Sequence, residues 1–251
     1  MRLALPRTRR DCAHALCDSD CSGMEPGIRA AHAEGQGIRL NLPEQYRPKA
    51  WNEVIGQDKV IATIDRLRPR GLTGRAYFLS GASGTGKTSI ALLLAQEVAS
   101  PICIEEYDAG ELTGPMIREI ERRLAVKGFS PGGRAVIVNE AHGLKPEVIR
   151  ALLVALERIP SHAVWLFTTT ADGKQNMFEK EDASPLLSRC LSLELSRRGL
   201  AEPFAARALE IARREGMDGQ PIEKYISLMK ECRNNLRAAL QAIEAGVMIP
   251  N

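Results

Sequence analysis

Between Arg75 and Leu195 short apolar runs alternate with stretches of helical period. AYFLS (76–80) reads as a strand and SIALLLAQEVA (89–99) as a helix. PICIEEYD (101–108) is a second strand, followed by a helix over 115–126 with Ile117, Ile120 and Leu124 on one face. RAVIVNE (134–140) and AVWLFTTT (163–170) are strands, and between them 146–159 is a helix opened by Pro146. CLSLEL (190–195) is a weaker fifth strand. Strands alternating with helices predict βαβ units and a parallel sheet. The central runs are almost continuously apolar, as expected when both sheet faces are covered. After Ser196 the strands stop, and three amphipathic helices follow, over 201–216, 221–232 and 234–246. The third has Asn234 or Asn235 as N-cap and Gly246 as its stop. The fold class is therefore α/β, a parallel-sheet domain followed by a small helical domain.

Residues 1–39 are rich in Arg, Ala, Gly and Cys, have no sustained period, and read as a flexible tail. The expected division is a tail over 1–39, an α/β domain over 40–196 and a helical domain over 197–251, with Met24 an alternative translation start. Such a division suits a chain of 251 residues with 44% apolar and 26% charged positions. A net charge of +3 permits a local basic face but does not indicate a nucleic-acid partner. The six cysteines form no regular framework, so a reducing, cytoplasmic setting is the simplest expectation. No run of about 18 apolar residues predicts a membrane span, and no apolar stretch follows the N-terminal arginines as a secretory signal would require. Cys12, His14, Cys17 and Cys21 carry four N/S ligand atoms, but without paired CxxC spacing or a framing element a disordered tail is the better reading than zinc.

One segment carries specific chemistry. GASGTGKT, from Gly81 to Thr88, fits GxxxxGK[ST] between a strand and a helix, the context in which that motif binds phosphate. Its glycines let successive N–H groups turn inward, and the helix N-terminus adds a favourable dipole. The candidate ATP contacts are Gly81, Ala82, Ser83, Gly84, Thr85, Gly86, Lys87, Thr88 and Ser89. Lys87 would place its charge on the β- and γ-phosphates and Thr88 would ligate Mg²⁺. The apolar strand over 135–138 runs into Asn139 and Glu140, where such ATPases keep acidic residues.

Several further segments, in order, resemble the clamp-loader branch of the AAA+ ATPases, the DNA polymerase III and replication factor C family. LPEQYRPKAWNEVIGQDKV (42–60) is similar to the family's N-terminal box, which lies along the adenine; by that match Tyr46, Arg47, Pro48, Val54 and Ile55 contact the base. IEEYDAGELTGPMIREI (104–120) and LLVALERIPSHAVWLFTTT (152–170) resemble two more family segments, and the second makes Thr170 a polar sensor of the γ-phosphate or attacking water. LLSRC (186–190) has the Ser-Arg-Cys form of clamp loaders, which implies that Arg189 enters a neighbouring subunit's ATP site as an arginine finger. NNLRAAL (234–240) resembles the lid segment and makes Arg237 a second sensor bound to phosphate in cis, with Asn234-Asn235 replacing the family's Gly-Asp.

The resemblance runs from about Leu40 to the C-terminus. It implies an ATP- and Mg²⁺-dependent ATPase working in a ring or arc of AAA+ subunits, with DNA and a sliding clamp as partners and no membrane. It makes Glu140 the catalytic base and sets Asn139 where the family has an Asp that holds Mg²⁺ through water, a departure that predicts slow hydrolysis. His142 reads first as a turn histidine, with a catalytic role as the alternative. Arg118, Arg122 and Arg123 lie on one helix, in a region where the family tracks the DNA backbone; a solvated helix face is the equal alternative. Family members usually continue into a helical collar, whereas this sequence ends at Asn251, and the cysteine-rich zinc insert of bacterial loaders is not seen after the phosphate-loop helix, where Cys103 stands alone. Two rival readings remain: a weakly hydrolysing subunit that lends Arg189 to a partner ATPase, and another AAA+ DNA motor or loader.

Overall fold

The computed structural model describes residues 41–128, 132–178 and 184–249. The tail over 1–39 with its Cys12, His14, Cys17 and Cys21, Met24, and the boundary at Leu40 lie outside the described residues. In chain order the elements are α1 (Leu42–Gln45), α2 (Asp58–Leu67), β1 (Arg75–Gly81), α3 (Lys87–Val98), β2 (Ile104–Asp108), α4 (Gly114–Leu124), β3 (Arg134–Asn139), α5 (Pro146–Glu157), β4 (Ala163–Thr169), α6 (Ala171–Phe178), α7 (Ser184–Ser188), β5 (Cys190–Leu195), α8 (Ala201–Arg214), α9 (Ile222–Glu231) and α10 (Leu236–Glu244).

The strands form one parallel sheet in the order β2-β3-β4-β1-β5. Successive strand residues face opposite sides, and both sides are buried. Phe78, Val136, Val138, Trp165 and Phe167 pack under α4 and α5 with Ile117, Ile120 and Leu152. Tyr77, Leu79, Ile137 and Leu166 pack with Ile64 of α2 and Ile90 and Leu94 of α3. This double burial is why the strand sequences are apolar runs rather than alternating ones. The strand expected over 101–108 begins only at Ile104, because Pro101 has no N–H for the ladder and opens a 3₁₀ turn instead. The strand expected to reach Glu140 ends at Asn139, since Glu140 turns to φ 51. Helices α1 and α2 were not among the expected elements, although Val60 and Ile64 of α2 stand at helical spacing.

The last three helices make a separate apolar cluster, in which Phe204, Ile211, Tyr225, Met229, Leu240 and Ile243 are buried. Asn235, rather than Asn234, caps α10: its side chain accepts from Ala238 N at 3.2 Å. Leu42 is buried in the same cluster, with Tyr46 and Ile55 packed against it. The segment at the start of the described chain is thus attached to the C-terminal helices as well as to the sheet domain. Among the described residues no helix is long and apolar enough to cross a membrane.

The turn between β5 and α8 is held from a distance by Gln57. Its amide nitrogen donates to Ser196 O at 2.9 Å and its amide oxygen accepts from Ser196 N at 3.1 Å. Gln57 is 3% exposed. Beside it, Gly56 has φ 70, and a Cβ there would lie 2.0 Å from Leu200 Cδ2. Gln57→Ala leaves both Ser196 groups without this partner and should cost about 1–3 kcal/mol. Urea unfolding of the two proteins measures it, and an unchanged midpoint would show that water replaces the amide at no cost.

Candidate nucleotide-binding site

Strand β4 lies between β1 and β3, so the connections after those two strands leave a crevice at the C-terminal edge of the sheet, where α/β proteins bind ligands. The loop after β1 turns there. Gly84 (φ 75) and Gly86 (φ 91) are left-handed, a conformation that other residues adopt at a cost. Gly86 is the N-cap of α3, and Lys87 is its first residue. The Lys87 side chain folds back, with Nζ donating to Gly81 O and Ala82 O, both at 3.0 Å. Lys87 is 8% exposed. Burial lowers its pKa, Glu140 acts in the opposite sense, and Arg197 and Arg237 lower it further. A desolvated cation among other cations favours an anion.

Arg197 was missed in the sequence, where it reads as a surface charge in the run SRRG. Its Nη2 donates to Ser83 O of the loop, and its Nε is buried without a hydrogen-bond partner.

A pocket opens beside the loop. Tyr46, Arg47, Pro48, Val54 and Ile55 all line it, as do Gly84, Thr85, Gly86 and Ser89 of the loop and Arg237 of α10. Phe204, Ile211, Leu236 and Leu240 complete an apolar wall from α8 and α10. Nothing in the amphipathic pattern of these helices marks the four residues, because helical periodicity looks the same whether a face meets protein or ligand. Tyr46 is anchored by donating its hydroxyl to Glu215 at 2.7 Å, and that bond raises the phenol pKa, with burial adding to it. Gly84 meets the N-cap of α10 closely: a Cβ on it would lie 1.9 Å from Asn235 Oδ1.

At the strand ends, Asn139 Oδ1 lies 3.5 Å from Thr88 Oγ1 and accepts from Thr168 Oγ1 at 2.9 Å. The Asn139 amide nitrogen donates to Glu106 of β2. Glu140 is exposed, and its carboxylate lies 3.4 Å from His142 Nδ1, which is 3.2 Å from Thr169 Oγ1. Thr170 follows β4, and its Oγ1 accepts from Gly173 N at 3.0 Å, leaving its O–H to donate. Thr88 and Asn139 offer oxygen donors, which suit a hard cation such as Mg²⁺. Among the described residues no cluster of three or more His, Cys, Asp and Glu is arranged to hold a metal, so Mg²⁺ here would depend on phosphate and water for its remaining ligands.

Arg189 stands at the other end of the sheet. Cys190 begins β5 opposite Ala76, and Leu195 ends it opposite Gly81. At about 3.3 Å per residue, the strand separates Arg189 from the loop by about 20 Å. Its guanidinium is exposed, pairs with Glu157 at 2.6 Å and donates to Pro185 O at 3.0 Å. The adjacent Cys190 thiol is pushed up to about 12 by burial, so it is a packing group and not a thiolate. Arg118, Arg122 and Arg123 diverge: Arg118 is exposed, Arg122 pairs with Glu119, and Arg123 folds onto Glu105 and Tyr107, each at 2.8 Å.

Residues 77–190 match the model of the ATPase family associated with various cellular activities (AAA). The chain is 27% identical over 203 residues to DNA polymerase III subunit gamma/tau of Mycoplasma pneumoniae, covering 69% of this chain and 29% of that one. It is 28% identical over 229 residues to replication factor C subunit 3 of Blastobotrys adeninivorans, covering 88% of this chain and 64% of that one. It therefore spans less than two thirds of either relative. In fold it is similar to the Thermotoga maritima RuvB Holliday junction branch migration motor, with a TM-score of 0.60 at 23% identity over 79% of this chain and 64% of that one. The AAA match over residues 77–190 takes in most of the phosphate loop's setting and of the parallel sheet, and beyond that domain the chain is similar to clamp-loader subunits.

Proposed function

We propose that the chain binds ATP with Mg²⁺ in the pocket between the phosphate loop and α10, hydrolyses it, and works beside other AAA+ subunits to load or remodel a protein on DNA. The observation that carries this reading is Lys87, desolvated at the head of α3 with Arg197 and Arg237 near enough to lower its pKa, next to a pocket with an apolar wall that Arg237 lines. The base would lie along Tyr46, Arg47, Pro48, Val54 and Ile55, and the phosphates in the loop near Arg237. When bound, Mg²⁺ supplies charge neutralisation across the β- and γ-phosphates, next to Thr88 and Asn139. Glu140 would orient and deprotonate the attacking water, and Thr170 would donate its O–H near the γ-phosphate.

Arg189 would act in trans, because about 20 Å of strand keeps it from its own loop. A ring or arc of subunits brings one chain's Arg189 to the next chain's loop and requires it to leave Glu157. The names of the gamma/tau and replication factor C relatives support a role in DNA replication, and a sliding clamp is the partner that the resemblance in the sequence implies. Exposed Arg118 and the outer end of Arg122 are the α4 groups left to meet a DNA backbone, whereas Arg123 is committed to Glu105. A second reading, a subunit that binds ATP but turns it over little, draws support from the neutral Asn139. Turnover measured with and without DNA and partner subunits separates the two.

Lys87→Ala should weaken ATP binding about 10- to 100-fold, the range for losing a hydrogen-bonded charge. Titration with a fluorescent ATP analogue checks this, with circular dichroism to confirm the fold; equal affinities would remove the phosphate-loop assignment.

Arg189→Ala should leave ATP affinity of the single chain nearly unchanged and lower turnover of the assembly by about 10³–10⁵, as for other arginine fingers. Mixing it with Lys87→Ala should restore part of the rate, since each variant then supplies what the other lacks. Full turnover by Arg189→Ala in an intact assembly would exclude the trans role.

A further inference from the structure

Asn139 ends β3 with a neutral amide, and an amide has two chemically different faces. Its orientation here is decided by what surrounds it. A carboxylate only accepts hydrogen bonds, so the –NH₂ must face Glu106. The carbonyl oxygen is then turned to Thr168 Oγ1, which donates to it at 2.9 Å, and to Thr88 Oγ1, at 3.5 Å. Reversing the amide would set oxygen against the Glu106 carboxylate. The sheet makes this contact local: β2 and β3 are neighbours with Asp108 opposite Asn139, so Glu106, two residues earlier, lies on the same face one diagonal step away.

We propose that Glu106 is a positioning residue for the Mg²⁺ site. It turns the Asn139 carbonyl toward Thr88, and it holds, one amide group away, the negative charge that an acid at position 139 would carry itself. The proposal rests on the reading of this pocket as a Mg²⁺–nucleotide site. The acidic group is then relocated from the end of β3 to the neighbouring strand.

A consequence distinguishes this arrangement from a simple loss of charge. If Asn139 were only a deficit, Asn139→Asp would strengthen Mg²⁺ binding. With Glu106 in contact, Asn139→Asp removes the N–H that Glu106 accepts and sets two acceptors against each other, so the oxygen facing Thr88 is no longer held in place. Glu106→Gln beside Asn139→Asp returns a donor to the pair.

The test is a double-mutant cycle on the full chain: wild type, Glu106→Gln, Asn139→Asp and the double variant. Affinity for a fluorescent ATP analogue is measured in EDTA and across a Mg²⁺ titration, and the half-saturating Mg²⁺ concentration is read for each protein. Glu106→Gln should raise that concentration at least about tenfold, as removal of a partner behind a metal ligand does. Asn139→Asp alone should give no improvement, and the double variant should return to the wild-type value or below it. Glu106→Asp, which keeps the charge on a shorter arm, should fall between wild type and Glu106→Gln. A Glu106→Gln variant within twofold of wild type, or an Asn139→Asp gain that is the same with and without Glu106, overturns the proposal. Failure of the underlying site reading looks different: wild type then binds no nucleotide in EDTA or in Mg²⁺, and both ideas fall together.

Discussion

The ammonium of Lys87 is held largely out of water, with two backbone carbonyls as its hydrogen-bond partners. That single desolvated charge is the constraint around which the rest is arranged. The loop must curl tightly enough to bring Gly81 O and Ala82 O under the side chain, which requires left-handed backbone at Gly84 and Gly86. The loop must begin at a strand edge and end at a helix N-terminus, so that its free N–H groups and the helix dipole share one direction. Carbonyl contacts satisfy the ammonium's donors without supplying a counter-charge, and burial therefore depresses its pKa. An anion of several oxygens is the partner that completes such a site.

The same constraint explains why the molecule closes over the loop from both ends of its described sequence. A phosphate cradle alone cannot select a base. The apolar wall comes from Val54 and Ile55 on one side and from α8 and α10 on the other. Gln57 ties these together by pairing with both backbone groups of Ser196, at the point where the sheet domain gives way to the helices. Asn235 has two tasks, capping α10 and touching Gly84, so the start of the helix that carries Arg237 is referenced directly to the loop.

The sheet then separates two sets of polar groups. Lys87, Asn139, Glu140 and Thr170 gather at the C-terminal edge, where the strands converge on the crevice. Arg189 lies at the opposite edge, parked on Glu157. A charge that far from its own loop is placed for the trans role proposed above rather than for one in its own site. The Glu106–Asn139 contact makes a related point on a smaller scale: a carboxylate need not occupy the expected position to influence the site, because adjacent parallel strands bring residues of one face within reach.

The order of strands and helices from Arg75 to Thr169, the fifth strand, the phosphate loop and the three C-terminal helices were legible in the sequence, because each rests on a local rule, whereas α6 and α7 between β4 and β5 were not. Apolar period separates strand from helix, GxxxxGK[ST] encodes a backbone curl, and Asn followed by an amphipathic run marks a helix start. Other features were not legible, since nothing local encodes them. Pro101 shortened a strand that apolarity alone would have extended, and α1, four residues long, is too short to show a period, whereas Val60 and Ile64 of α2 do stand at helical spacing. Nothing local distinguishes Arg197 from the other arginines, or Phe204 and Leu240 from the other apolar positions of their amphipathic helices. Nothing in the sequence singles out Glu106. Their roles arise from segments far apart in the chain meeting at one crevice, and from the β2–β3 register that places Glu106 against Asn139. The sequence by itself determined that a phosphate loop stands between a strand and a helix; only the tertiary structure decided which charges surround it, because electrostatic neighbours depend on distance in space and not along the chain.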